Sequence, residues 1–140
     1  MPNRIAAAAA AALAIVVLGG CSSRTHTATS STASVTVNGN HATIHAVKCS
    51  QLEWYRTIDI GGDLAGATVT IDERAQPLTT TSVRIHNLGG FTGLYSLGGN
   101  GDASMSFSGD KYTISGTANG YKTDNPGEPA SAAFKISATC

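Results

Sequence analysis

From Val35 to the C-terminus, apolar and polar residues alternate with a period of two, and turn residues break the alternation about every ten residues. Val35 and Val37, the turn Asn38-Gly39-Asn40, and Ala42, Ile44 and Ala46 predict a β-hairpin. Val47 and Cys49 fall in the opposite parity, which predicts a bulge near Ala46-Val47. Ile58 with Ile60, Val69 with Ile71, Val83 with Ile85, and Tyr95 with Leu97 each share one face of a strand. Met105 and Phe107 lead into a turn at Ser108-Gly109-Asp110, and Tyr112 and Ile114 lead out of it. After the proline-containing loop 124–129, Phe134, Ile136, Ala138 and Cys140 alternate on the last strand. The segment SQLEWYR (50–56) is the one place suited to a short helical turn. Eight or nine short strands without an amphipathic helix define an all-β domain, either a sandwich or a closed barrel.

The N-terminus follows different rules. Arg4 precedes fourteen uninterrupted apolar residues, 5–18, and then two glycines and Cys21. A charged start, a short apolar run and small residues before a cleavage point form an export signal. Such a run covers only about 21 Å, against a hydrocarbon core of about 30 Å, too short to remain as a span. Leu18-Gly19-Gly20-Cys21 resembles the bacterial lipobox. That resemblance implies that residues 1–20 are removed and that Cys21 becomes the first residue, carrying diacylglycerol and palmitate-type acyl chains. The alternative is an ordinary cysteine behind a secretory signal. Residues 21–34 then form a tether, with nine Ser or Thr among residues 22–34. It has no large apolar residue to offset its ordering entropy. Thr25, Thr27, Thr29, Ser30, Ser31 and Thr32 are the hydroxyls open to O-glycosylation there. The globular domain is expected over 35–140.

Charge excludes some partners. The whole chain balances nine Lys/Arg against nine Asp/Glu. Losing Arg4 with the signal leaves a slight acidic excess. Neither a nucleic-acid footprint nor a polybasic membrane patch fits that balance, so membrane attachment falls to the lipid. With Cys21 assigned to lipid, Cys49 and Cys140 remain as one pair in an exported, oxidising setting, which predicts a disulfide. Two reduced core thiols are the competing reading. Cys140 has the parity of Phe134 and Ile136 and is expected to point inward. First and last strands stapled together favour an antiparallel β-sandwich, immunoglobulin-like in general architecture, over the barrel.

The residues form no enzymatic constellation: no Gly-x-Ser-x-Gly, no phosphate loop and no His-Glu-x-x-His. His41, His45 and His86 read as solvent-face histidines, and no metal or cofactor is expected. Gly98-Gly99-Asn100-Gly101 reads as a hairpin turn. Asp59 with Asp63, and Asp72 with Glu73, are paired carboxylates of the type acid–base chemistry uses, but they also suit solvated turn edges. Trp54, Tyr55 and Phe91 form either an exposed recognition patch or ordinary core.

Four further stretches carry a family resemblance over essentially the whole mature chain. They are Ile58-Asp59-Ile60-Gly61-Gly62, Ser115-Gly116-Thr117-Ala118-Asn119-Gly120, Asn125-Pro126 with Pro129, and Phe134-Lys135-Ile136 before Thr139-Cys140. With the lipobox and hydroxyl-rich tether, they resemble the mycobacterial LpqH-type lipoprotein antigens. The tether is shorter and poorer in glycine and proline than that family's. The resemblance implies a non-enzymatic, surface-exposed antigen of the mycobacterial cell envelope, lipid-anchored on the extracytoplasmic face of the cell membrane, glycosylated on its tether, with an acylated N-terminus that host Toll-like receptor 2 senses. The second reading is a carrier holding an envelope lipid or glycan in a cavity of the domain. The small chain, rich in Ala, Ser, Thr and Gly, favours a closed core instead.

Overall fold

The computed structural model describes residues 31–140. The expected export segment, Cys21, Thr25, Thr27, Thr29 and Ser30 lie outside the described residues. Ten strands follow in order: β1 (Ala33–Val37), β2 (Asn40–Ile44), β3 (Val47–Leu52), β4 (Tyr55–Gly61), β5 (Gly66–Asp72), β6 (Thr79–Leu88), β7 (Phe91–Ser96), β8 (Asp102–Ser108), β9 (Lys111–Lys122) and β10 (Asn125–Thr139). β1 thus starts two residues before the expected domain edge.

The strands hydrogen-bond into one antiparallel sheet, in the order β2-β1-β10-β9-β7-β6-β5-β4-β3, with β8 added to β9. The expected pair of packed sheets, immunoglobulin-like or otherwise, is replaced by a single sheet rolled into a nearly closed, barrel-like shape. The physical reason lies at Ala46-Val47. The parity change there is not a bulge within one strand. β2 ends at Ile44 and β3 begins at Val47, and these consecutive strands are the two opposite edges of the sheet. A joint of two residues, His45-Ala46, forces those edges together, so the sheet has to roll. The Gly61 amide donates to the Ala46 carbonyl at 2.8 Å and holds the joint against β4. A disulfide between Cys49 and Cys140 spans the same seam, with Cα atoms 6.0 Å apart.

The hairpin turns follow local chemistry. Asn38 and Gly39 have φ of 51° and 81°, the left-handed pair of a type I′ turn, and their flanking residues Val37 and Asn40 pair directly. The expected helical turn in SQLEWYR does not form. β3 runs on to Leu52, which pairs with Tyr55, and Glu53 and Trp54 make the turn. Six in-register pairs with β4 outweigh a helical preference that is weak in so short a segment.

The inward parity of the strands builds the core. Val35, Val37, Ile58, Ile60, Val69, Ile71, Val83, Ile85, Tyr95, Tyr112, Ile114, Phe134 and Ile136 are all buried. Four positions depart from expectation. Ala42 is exposed because β2 is an edge strand outside the core. Phe107 is 46% exposed because β8 pairs only with β9. Leu97 lies past the end of β7 and is exposed. Cys140 is exposed too, because β10 ends at Thr139 and the disulfide sits on the rim.

β9 is the most crowded strand. One of its edges pairs with β10 along its whole length, and the other is shared by β8 and β7. A Cβ at Gly116 would collide with the Asp102 carbonyl, and one at Gly120 with the Thr92 carbonyl. This gives Ser115-Gly116-Thr117-Ala118-Asn119-Gly120 a structural meaning: its glycines let three strands meet on one.

The disulfide closes a loop with a sequence separation of 91 residues, for which chain entropy gives about 4–5 kcal/mol. We expect the Cys49→Ser/Cys140→Ser protein to lose roughly 2–5 kcal/mol in urea-induced unfolding, the usual cost of a native bridge in a small domain. Reductant should lower the wild-type stability to match and leave the double variant unchanged.

Candidate functional site

One end of the barrel gathers the β3–β4 turn, the loop 73–78 after β5, the β8–β9 turn at Gly109-Asp110, and the C-terminus. Contacts across this end establish the grouping. The Tyr112 hydroxyl on β9 donates to Glu73 Oε1 at 3.3 Å, and the Cys140 amide donates to the Asp110 carbonyl at 3.0 Å.

Two layers of side chains occupy this end. The inner layer plugs the core. Arg56 shares the parity of Ile58 and Ile60, which puts its guanidinium over the mouth of the barrel. There Arg56 Nε donates to Glu73 Oε1 at 2.6 Å, and Arg56 Nη2 to Gln51 Oε1 at 2.6 Å. Gln51 Nε2 in turn donates to Glu73 Oε2 at 2.6 Å, which closes the ring. The Arg56 guanidinium also lies 5.8 Å from the centroid of the Tyr112 ring, and that ring packs on Phe107 at 4.5 Å. Hydrogen bonding from Arg56 holds the Glu73 carboxyl below its usual range, and Glu73 holds Arg56 above its own. Burial raises the Tyr112 phenol.

The outer layer faces solvent. Trp54 is 40% exposed and Tyr55 37%. The Arg74 guanidinium stacks 4.3 Å from the Trp54 centroid and 5.7 Å from that of Tyr55. Asp72 fixes Arg74 through both carboxylate oxygens, each accepting at 3.3 Å, and its Oδ1 also accepts the Arg74 amide. Those hydrogen bonds lower the Asp72 carboxyl. Leu52, 78% exposed, completes this tip.

The structure splits the aromatic trio proposed from sequence. Trp54 and Tyr55 stand together on the tip, but Phe91 is 2% exposed and belongs to the core. Its ring lies beneath Gly93, where an added Cβ would meet it at 2.5 Å. Gly89 and Gly90, both at positive φ, turn β6 into β7 and start that strand with Phe91 facing inward. Sequence reading missed Arg56, Arg74 and Gln51, because strand pairing brings them to the site and nothing in their local spacing marks it.

The paired carboxylates resolve differently. Asp72 and Glu73 bind separate arginines. Asp59 and Asp63 line an outer hollow of 480 Å³ with Arg84, His86 and the Gly61-Gly62 turn. Asp59 Oδ1 accepts a hydrogen bond from Thr68 Oγ1 at 3.0 Å. His41 bonds the Thr36 hydroxyl at 3.2 Å, and His45 sits in the joint between β2 and β3. Among the described residues no three His, Cys, Asp or Glu side chains come together to hold a metal ion. Of the hydroxyls expected to accept sugar, Thr32 is exposed and Ser31 half-buried beside β1.

The geometry is that of a small, disulfide-sealed β-barrel whose elaborated end is a stacked aromatic and arginine tip, a domain in which a covalent bridge supplements a limited core. Comparison with known proteins places it more closely. The chain belongs to the Mycobacterium 19 kDa lipoprotein antigen family, which matches it over residues 26–140. It is 60% identical over 140 residues to a putative lipoprotein of Mycobacterium indicus pranii, covering the whole of both chains. It is 32% identical over 108 residues to the probable lipoprotein LppE of Mycobacterium tuberculosis, 77% of each chain. Over 96 residues it is 34% identical to lipoprotein LpqH of that organism, covering 68% of this chain and 60% of LpqH.

The Glu73 shift has a definite sign. A carboxyl lowered in the folded state stabilises the fold above its unfolded value of 4.5, and that stability is lost as pH falls through the lower folded value. We therefore expect wild-type stability to decline below about pH 4.5. Glu73→Gln should be less stable at neutral pH by roughly 1 kcal/mol, the scale of a solvent-accessible ion pair. It should also show a shallower acid decline in urea titrations at stepped pH.

Proposed function

We propose that the protein is a lipid-anchored antigen of the mycobacterial cell envelope, held to the extracytoplasmic face of the membrane by acyl chains on Cys21 and presenting residues 35–140 as a non-enzymatic interaction domain. Family membership, together with Leu18-Gly19-Gly20-Cys21 at the end of an export signal, carries this reading. The tether hydroxyls Thr25, Thr27, Thr29, Ser30, Ser31 and Thr32 serve as O-glycosylation acceptors. The acylated N-terminus is the element that host Toll-like receptor 2 senses, since two or three acyl chains supply far more apolar surface than the Trp54–Tyr55 tip. A carrier role would call for a hollow inside the barrel. Ile58, Val69, Ile85, Ile114 and Ile136 fill that interior at 0% exposure, while the hollow beside Asp59 and His86 opens on the outer face.

Cys21→Ser tests the anchor. Expressed in a mycobacterium, the wild-type protein should partition into detergent and stimulate receptor-bearing cells. Cys21→Ser should partition into the aqueous phase or remain unprocessed, with its signalling potency lost. A processed Cys21→Ser protein that still enters detergent would refute lipid anchoring. Equal potency from that protein, free of endotoxin, would move receptor recognition onto the folded domain.

A further inference from the structure

We infer that the Leu52–Trp54–Tyr55 tip docks on the same lipid surface that bears the protein's own anchor, so that the domain sits on the bilayer in a fixed orientation. The inference rests on the Cys21 anchor proposed above, and three observations lead to it. The first is position. β1 runs away from the end where the tether joins, since Ala33 pairs with Ala138, two residues before Cys140. The disulfide carries that end directly to Cys49, three residues before Leu52 on a strand that runs toward the tip. Tether and tip therefore share one end of the barrel. The second is reach. Eleven residues lie between Cys21 and Ala33, twelve residue steps that span at most about 40 Å, so an anchored chain keeps this end close to the headgroups.

The third is chemistry. Leu52, Trp54, Tyr55 and Phe107 are exposed large apolar side chains around this one end. Trp and Tyr favour the boundary between headgroups and acyl chains, where an apolar ring and a polar edge are both satisfied. Arg74, stacked on Trp54 and bonded to Asp72, can reach headgroup oxygens while its stem and the ring beneath stay in the apolar layer. Glu53, Asp72, Glu73 and Asp110 outnumber Arg56, Arg74 and Lys111 here, so anionic lipid adds no attraction. A tip this small would not hold a free protein on a membrane. Tethering makes its docking intramolecular, at an effective concentration on the order of millimolar, and a weak contact then suffices.

The chain contains a single tryptophan, so Trp54 reports its own surroundings. The acylated mature protein is bound to phosphatidylcholine vesicles with or without bromine on the acyl chains, and flotation and tryptophan emission are both read. Docking predicts that wild-type protein floats and loses roughly half or more of its emission in the brominated vesicles, as a ring at the acyl boundary should. Leu52→Asp, a change at an exposed position, should float equally and lose little emission. Floating wild-type protein with equal emission in both vesicles would overturn docking while leaving the anchor intact. Undiminished quenching in Leu52→Asp would strike Leu52 from the docking surface and overturn the contact as drawn here. Wild-type protein that fails to float would overturn the anchor, and docking with it.

Discussion

Closure of the sheet is the constraint on which the rest of this structure depends. The two edge strands, β2 and β3, are neighbours in the chain and opposite ends of the sheet, and only His45 and Ala46 lie between them. Nine strand pairings can be satisfied together only if the sheet rolls until its edges meet. The Cys49–Cys140 bridge then fixes the stagger of the seam by joining β3 to the last residue of the chain. A rolled sheet needs strand tilt and stagger to agree, and here a covalent bond sets the agreement.

The core reflects that tight curvature. Ala33, Ala67, Ala118, Ala132 and Ala138 are buried alongside Val and Ile, and only a few aromatic rings enter. Small residues let opposite walls of a narrow barrel approach, and the rings of Phe91, Tyr95, Tyr112 and Phe134 fill what remains. The same economy of space explains Gly93, Gly116 and Gly120, each lying where another strand or ring occupies the volume of a Cβ. A large apolar residue in place of any of these would have to displace backbone, which interiors tolerate poorly.

Much of this was legible in the sequence because it is local. Period-two alternation located the buried residues of β1, β4, β5, β6, β9 and β10, since the pleat alone decides which face a side chain takes. Asn38-Gly39 announced its turn because few residues accept two successive positive φ values. The two cysteines left after Cys21 pointed to their bridge. The roll of the sheet was not legible. The parity break at Ala46-Val47 was visible, but a bulge and a passage between opposite edges leave the same local trace. Phe91 could not be separated from Trp54 and Tyr55 for a similar reason: its burial depends on how Gly89-Gly90 aims β7, a matter of strand order. Arg56 and Glu73, seventeen residues apart, meet only because β4 and β5 pair over the barrel mouth.

The outer wall accounts for the low charge of the chain, only 13% of residues. Ser50, Thr57, Thr70, Ser82 and Ser96 form one outward row, each paired with the next across five strands. Lys48, Asp59, Thr68, Arg84 and Leu94 form the adjacent row. Threonine suits both demands on such a wall, because its branched Cβ favours the strand and its hydroxyl faces water. Cross-strand hydroxyl pairs add modest stability without fixing a charge pattern. The first of these rows carries hydroxyls alone, and the second adds the charges of Lys48, Asp59 and Arg84. The strongest contrasts in charge and aromatic character fall at the barrel's tether end, where Arg56 and Glu73 cap the core and Arg74 lies against Trp54. In the docking proposed above, the domain meets the membrane with this end and turns the hydroxyl-rich wall outward.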